Sequence, residues 1–298
     1  MGAMMRGLRW MIRLAVFGLV LAGAALWLTK PQTLPQGALE GMQADVQNGE
    51  IVFTAAGCAS CHKAPKGERL ILSGGQAFAS PFGTFNAPNI SSHPSAGIGD
   101  WGLTDFANAL RYGTSPGGQH YYPAFPYDSY THMTDQDLVD LWGYIQTLPA
   151  DPAPSRAHDL GFPFSIRAGL GLWKALYLRD DWAGPAAADA DADWLRGRYL
   201  TQALAHCSAC HTPRGPLGGP QNDAYLQGAP HPSGKGRIPA INRSQLGWSS
   251  PDIAEYLSSG FTPDYDSAGG DMVDVIENTS RLPQSDRDAI ARYIHSID

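Results

Sequence analysis

The sequence predicts an all-α protein: two copies of one small helical unit set behind an apolar N-terminal helix. Three observations carry that reading. The pentad Cys58-Ala59-Ser60-Cys61-His62 recurs as Cys207-Ser208-Ala209-Cys210-His211, 149 residues on. Flanking residues recur at nearly the same offset. Trp101, Asp105 and Gly113 return 147 residues on as Trp248, Asp252 and Gly260; Asp137, Tyr144 and Ile145 return 149 on as Asp286, Tyr293 and Ile294. An offset held through motif, middle and end is what a duplicated unit leaves behind. Third, residues 14–28 are an unbroken apolar run behind Arg6, Arg9 and Arg13.

The N-terminal run comes first in the chain. Fifteen residues are long for the core of a signal peptide and short for a full span. Counting back to Trp10 gives 19 residues, with Arg13 able to snorkel and Trp10 and Trp27 at the two interfaces. Ala22-Gly23-Ala24 offers a small-x-small cleavage site, but Leu26-Trp27-Leu28 stays apolar beyond it. An uncleaved signal anchor is therefore expected. The arginines orient it with everything after Lys30 across the membrane. Residues 29–40 read as a short Pro/Gly tether.

The body that follows is globular by composition, at 43% apolar and 16% charged residues overall, and 298 residues suffice for two domains. Beyond the basic leader it holds 17 basic and 28 acidic residues. So negative a body argues against nucleic-acid binding.

The two pentads use all four cysteines. C-x-x-C-H is the attachment signature of a c-type haem: two thiols three residues apart add to the two vinyl groups of one porphyrin, and the next histidine is placed to ligate the iron. Two C-x-x-C pairs could instead share one zinc, but zinc pairs usually lie closer in sequence and need no histidine after each. A thioredoxin-like redox motif would need a buried strand in a βαβ pattern, absent here. Two covalent haems are expected, on Cys58, Cys61 and His62 and on Cys207, Cys210 and His211.

Each copy then shows the same order of helices. One approaches the pentad, over 47–56 and 193–206. A middle one starts at the cap residues Thr104 and Ser250 and ends at Gly113 and Gly260. A last one opens at Thr134 and at Gln284-Ser285 with an acidic first turn. First and last helices crossing over a haem make a small helical cytochrome. Between the copies, residues 165–178 predict a short apolar helix capped by Ser165, packed between the domains or dipped into the membrane surface, the former being the expectation. Residues 186–193 read as a solvated loop. The resulting plan is 1–40 anchor and tether, 41–150 first domain, 151–192 linker with its helix, and 193–298 second domain.

A haem iron held by one histidine needs a ligand on its other face, and a thioether there makes a saturated, high-potential carrier. Of seven methionines, five lie at or before residue 42, leaving Met133 and Met272, one per copy. Met272 follows Gly269-Gly270-Asp271 in a segment expected to arch over a ring as a loop, and Met133 abuts the last helix. His120 and His132 are the alternatives for the first iron.

With these residues in view, the chain resembles the membrane-associated multihaem cytochromes c that serve periplasmic alcohol, gluconate and sugar dehydrogenases as electron-transfer subunits. The segments that carry the likeness are Pro81-Phe82-Gly83-Thr84 through Pro88-Asn89-Ile90, Gly97-Ile98-Gly99-Asp100-Trp101, Tyr122-Pro123-Ala124-Phe125-Pro126-Tyr127, Gly269-Gly270-Asp271-Met272 and Thr212-Pro213-Arg214. It spans about residues 45–298. Such subunits typically carry three haem motifs where this chain has two, and some relatives have methionine where this chain has Phe125. The resemblance implies two tandem class I-type cytochrome c domains at the bacterial cytoplasmic membrane, facing the periplasm. They would pass single electrons from a dehydrogenase or other respiratory donor to a downstream cytochrome or terminal oxidase. A dihaem peroxidase needs an iron with an open face, and a thiolate-ligated thiosulfate dehydrogenase needs a fifth cysteine. A fixed dihaem subunit of a cytochrome oxidase shares the architecture without the Tyr-Pro-Ala-Phe-Pro-Tyr segment.

Overall fold

The computed structural model describes residues 2–184 and 190–298. Helix α1 runs Gly2–Leu28, and its stretch Met5–Leu28 has a mean hydropathy of 2.1 with none of it buried in the body. At 1.5 Å per residue these 24 residues reach about 36 Å, enough for a hydrocarbon core of about 30 Å. The helix thus begins well before Trp10. Residues 29–40 do not hang free: Asn108 Oδ1 accepts from Leu34 N at 2.7 Å, and Leu39 is buried.

The first half is built from α2 (Val46–Ala55), α3 (Cys58–His62), strands β1 (Ala77–Ser80) and β2 (Gly83–Asn86), α4 (Leu103–Tyr112), α5 (Tyr127–Tyr130) and α6 (Asp135–Thr147). Strand β3 (Asp159–Leu160) and α7 (Leu170–Tyr177) form the connection. The second half comprises α8 (Ala192–Tyr199), a π turn (Leu200–Leu204), α9 (Ser208–His211), β4 (Ala229–Pro230), β5 (Arg237–Ile238), α10 (Arg243–Leu246), α11 (Ser250–Ser259), α12 (Met272–Thr279) and α13 (Gln284–His295).

The protein is helix-rich but not purely helical. β1, β2 and β3 pair antiparallel in that order, and β4 pairs with β5. Two- and four-residue strands closed by Pro/Gly turns carry too little alternation to register in a sequence pattern.

The same crossing closes each half. Gly49 of α2 lies against α6, where an added Cβ would stand 2.1 Å from the Asp140 carbonyl oxygen. Gly197 of α8 lies against α13, where it would stand 2.0 Å from that of Ala289. Tyr144 and Tyr293 pack over these glycines. Beside them Asp137 accepts from Asn48 Nδ2 at 2.9 Å, and Asp286 takes a two-pronged contact from Arg196 at 2.9 and 2.8 Å. These contacts explain why the aspartate and tyrosine recur. Gly49 and Gly197 are 148 residues apart whereas the pentads are 149 apart. The π turn at Leu200–Leu204 takes up the extra residue, as such bulges do.

Substituting either crossing glycine by alanine forces two helix backbones apart. Gly197→Ala or Gly49→Ala is expected to cost about 3 kcal/mol, lowering Tm by roughly 5–10 °C in a chain of this size, as read by calorimetry.

Several helix starts differ from the sequence reading. The middle helices are capped at Gly102 and Ser249, two residues and one residue before the expected Thr104 and Ser250. The reason is the carboxylate three residues on: Asp105 accepts from Gly102 N at 3.1 Å and Asp252 from Ser249 N at 3.0 Å. Thr134 caps α6 as expected, its Oγ1 accepting from Asp137 N at 3.1 Å. Ser165 caps nothing: a 3-10 turn at Arg167–Gly169 leads into α7. Of the loop expected over 186–193, residues 186–189 lie outside the described residues.

The halves share one apolar core, in which Phe53, Leu138, Leu141 and Ile145 join Leu200, Leu204, Ile290 and Ile294.

Candidate functional site: the two Cys-x-x-Cys-His turns

Each pentad is a turn of helix set by the segment before it. In the first half α2 ends at Ala55, Gly57 turns left-handed at φ 63°, and α3 follows. In the second half His206 takes the left-handed position at φ 40°, and Cys207 and α9 follow. Histidine enters that region more readily than most side chains. Residues three apart on a helical turn are neighbours, so Cys58 meets Cys61 and Cys207 meets Cys210. None of the four is paired in a disulfide.

The histidines are oriented from behind. His62 Nδ1 lies 2.8 Å from the Pro88 carbonyl oxygen, and His211 Nδ1 lies 2.8 Å from that of Pro239. A carbonyl only accepts, so Nδ1 carries the proton and Nε2 keeps its lone pair. Burial lowers both imidazole pKa values, which favours the neutral ring. The surrounding backbone is duplicated as well. Gly74 N and Gly228 N donate to the His62 and His211 carbonyls at 2.6 and 2.7 Å, and Ile90 N and Ile241 N donate to those of Leu72 and Leu226 at 3.0 and 2.9 Å.

This donor set fits a covalently attached haem and does not fit zinc. Among the described residues no group of three or more His, Cys, Asp or Glu side chains converges to hold a metal ion. Paired thiols beside an imidazole with a free Nε2 are what two thioethers and one proximal ligand require.

The first pentad is gripped by the second half. Lys63, directly after His62, pairs with Asp274 at 3.1 Å and Glu277 at 3.5 Å, both on α12. Asn278 of the same helix donates to Ser60 Oγ at 2.7 Å. Tyr130 Oη donates to the Ala56 carbonyl at 3.0 Å, and its ring lies 5.7 Å, centroid to centroid, from that of His206. Tyr199 donates to Asp137 across the same seam.

The two methionines sit differently. Met133 is buried directly ahead of α6, and Arg111 holds it there, donating to the Met133 carbonyl at 2.6 Å and pairing with Asp135 at 2.8 Å. Met133 N donates to Tyr130 O as Leu282 N does to Thr279 O, so its backbone counterpart is Leu282, also in the core. Met272 is half-buried and opens α12, where a loop was expected. Val273, Val275 and Ile276 continue it as a helix, with no proline before Pro283. Counting 147 residues back from Met272 reaches Phe125. His120 is tied by Nε2 to the Thr29 carbonyl at 3.0 Å, and His132 stacks on Trp182.

Sequence reasoning missed the proline carbonyls, Tyr130 and the grip of α12. For the first a signal existed: Pro88-Asn89-Ile90 recurs as Pro239-Ala240-Ile241.

Comparison with known proteins gives the same picture. A family model described as cytochrome c matches residues 46–149 and again 196–298. A protein of Cereibacter sphaeroides described as diheme cytochrome c-type is 50% identical over 282 residues, covering 93% of this chain and 95% of its own. The fructose dehydrogenase cytochrome subunit of Gluconobacter japonicus is 39% identical over 94% of this chain, and the gluconate 2-dehydrogenase cytochrome c subunit of Pantoea cypripedii is 35% identical over 89%. This chain spans 57% and 63% of the length of those two subunits.

Proposed function

Because the chain belongs to the cytochrome c family and carries two covalently bound haems c, we propose that it is a membrane-tethered dihaem electron carrier. It is built as two tandem class I-type cytochrome c domains, residues 41–150 and 193–298, joined by 151–192. Helix α1 anchors it in the bacterial cytoplasmic membrane with both domains in the periplasm. Its donor is a periplasmic dehydrogenase or another respiratory donor, and its acceptor is a downstream cytochrome or terminal oxidase. The cytochrome subunits of fructose and gluconate dehydrogenases among its relatives support the dehydrogenase as donor.

Cys58 and Cys61, and Cys207 and Cys210, hold the two haems. His62 and His211 give Nε2 to the irons while Pro88 and Pro239 fix the rings from behind. Bound there, each haem supplies an iron that changes by one electron. Met272 would give its thioether sulfur to the iron of the second site, and Met133, arriving from a different position in the repeat, would do so for the first.

The observation that carries the relay is the seam: the second half holds Ser60 of the first pentad and the adjoining Lys63, and His206 lies against Tyr130. Such contact suits charge moving between the two sites, whereas an enzyme would need one of them opened to substrate.

The test is ligand exclusion. Cyanide or peroxide mixed with the purified ferric protein is expected to leave its absorption spectrum unchanged over seconds. Rapid binding at either centre would overturn the carrier reading in favour of a peroxidase-type enzyme.

A further inference from the structure

Helix α7 packs by one face only. Trp173 is buried and donates from Nε1 to the Leu217 carbonyl at 3.0 Å, and Lys174 donates to the Tyr112 and Gly113 carbonyls at 2.5 and 2.8 Å. Leu172 and Leu176, four residues apart, stand on the other face and are half exposed. The segment leading into α7 adds Phe162 at 84% exposure, with Phe164 and Ile166; Leu217 adds a contribution from the second half. Scattered exposed apolar residues need no explanation, but six of them on and around one helix do.

Two further observations say what covers them. The first is position. Gly171 sits directly on Thr29, where an added Cβ would stand 2.5 Å from the Thr29 carbonyl oxygen, and His120 bonds that same carbonyl. Leu172 is therefore one residue from the point where α1 enters the body. The eight residues of α7 extend only about 12 Å from there. The second is composition. Lys174 is turned into the body and Asp159, Asp180 and Asp181 border the segment, so what it presents outward is aromatic and aliphatic, Phe162, Phe164, Ile166, Leu172 and Leu176, with Arg179 at its edge. An aromatic-bearing apolar face beside the end of a membrane span matches the headgroup layer of a bilayer.

We propose that residues 161–178, together with Leu217, form a second membrane contact that lies in the lipid headgroup layer beside the exit of α1. The inference rests on α1 being a membrane anchor and adds to it a fixed tilt of the body. With one point of attachment to the membrane the body would be free to tilt. With two it presents a constant side to its partners.

The experiment uses the full haem-loaded chain in vesicles of phosphatidylethanolamine and phosphatidylglycerol, doped with a phosphatidylcholine bearing a photoactivatable diazirine high in one acyl chain. After illumination, lipid adducts are mapped by peptide mass. Adducts are expected on α1 and on the peptides spanning 157–179. Replacing Phe162 and Leu176 together by serine is expected to cut the adducts on 157–179 at least fivefold while those on α1 and the haem content stay unchanged. Adducts on α1 alone would overturn the second contact and leave the anchor standing. Adducts on neither would overturn both. Equal labelling of the α13 peptides would show indiscriminate capture and also count against the proposal.

Discussion

Replacing Cys207 and Cys210 together by serine is expected to halve the covalently bound haem per chain. Denaturing gel electrophoresis with haem staining reads the loss directly, and the intact mass falls by one porphyrin. Thioethers survive unfolding; a haem held only by His211 does not. The Cys58/Cys61 double variant should lose the same amount, since each pentad draws on its own cysteines and no others exist. Unchanged staining in either variant would mean that the pentads do not attach haem. The second-half variant carries an additional expectation. His211 remains tied to Pro239 by its own hydrogen bond, so the local backbone should persist and the remaining haem should keep its spectrum.

Met272→Ala is expected to remove the methionine-to-iron charge-transfer absorption from one of the two haems. It should also lower that haem's potential on the order of 0.1 V, a modest part of the ~0.8 V that axial ligands span. Met133→Ala should do the same to the other haem, and this is the more discriminating experiment. Met133 shares its backbone position with Leu282, a core residue with no donor atom, and Met272 does not. If Met133→Ala lowers stability but leaves the spectrum alone, Met133 fills core and the first iron takes His120, His132 or nothing. His120 would have to leave the Thr29 carbonyl to serve, and His132 the face of Trp182.

The haem chemistry was legible in ten residues because covalent attachment demands specific atoms at a fixed spacing. The helices were legible from glycine stops and acidic first turns. α4 and α11 do end at Gly113 and Gly260, both left-handed. Features that depend on close approach were not. Nothing in a sequence marks Gly49 or Gly197 as a helix crossing, because the signal is a missing side chain. The carbonyls of Pro88 and Pro239 leave only the recurring Pro-x-Ile as a trace, backbone acceptors being common to every residue. The sequence of the α7 segment suits packing between domains as well as lying on a membrane. Its sequence contains both faces, and only the fold shows Trp173 turned in and Leu172 turned out.

Helix α12 opens with Met272 and, within its two turns, holds Ser60 of the first pentad through Asn278 and the adjoining Lys63 through Asp274 and Glu277. With Met272 as the proposed ligand of the second iron, one short helix would link that iron to the anchorage of the first pentad. Any displacement of Met272 would then be felt at the far site as well. The duplicated halves have thereby ceased to be interchangeable modules. A redox titration of this protein should be fitted as a coupled pair, and neither half cut from the gene should reproduce its own midpoint in isolation.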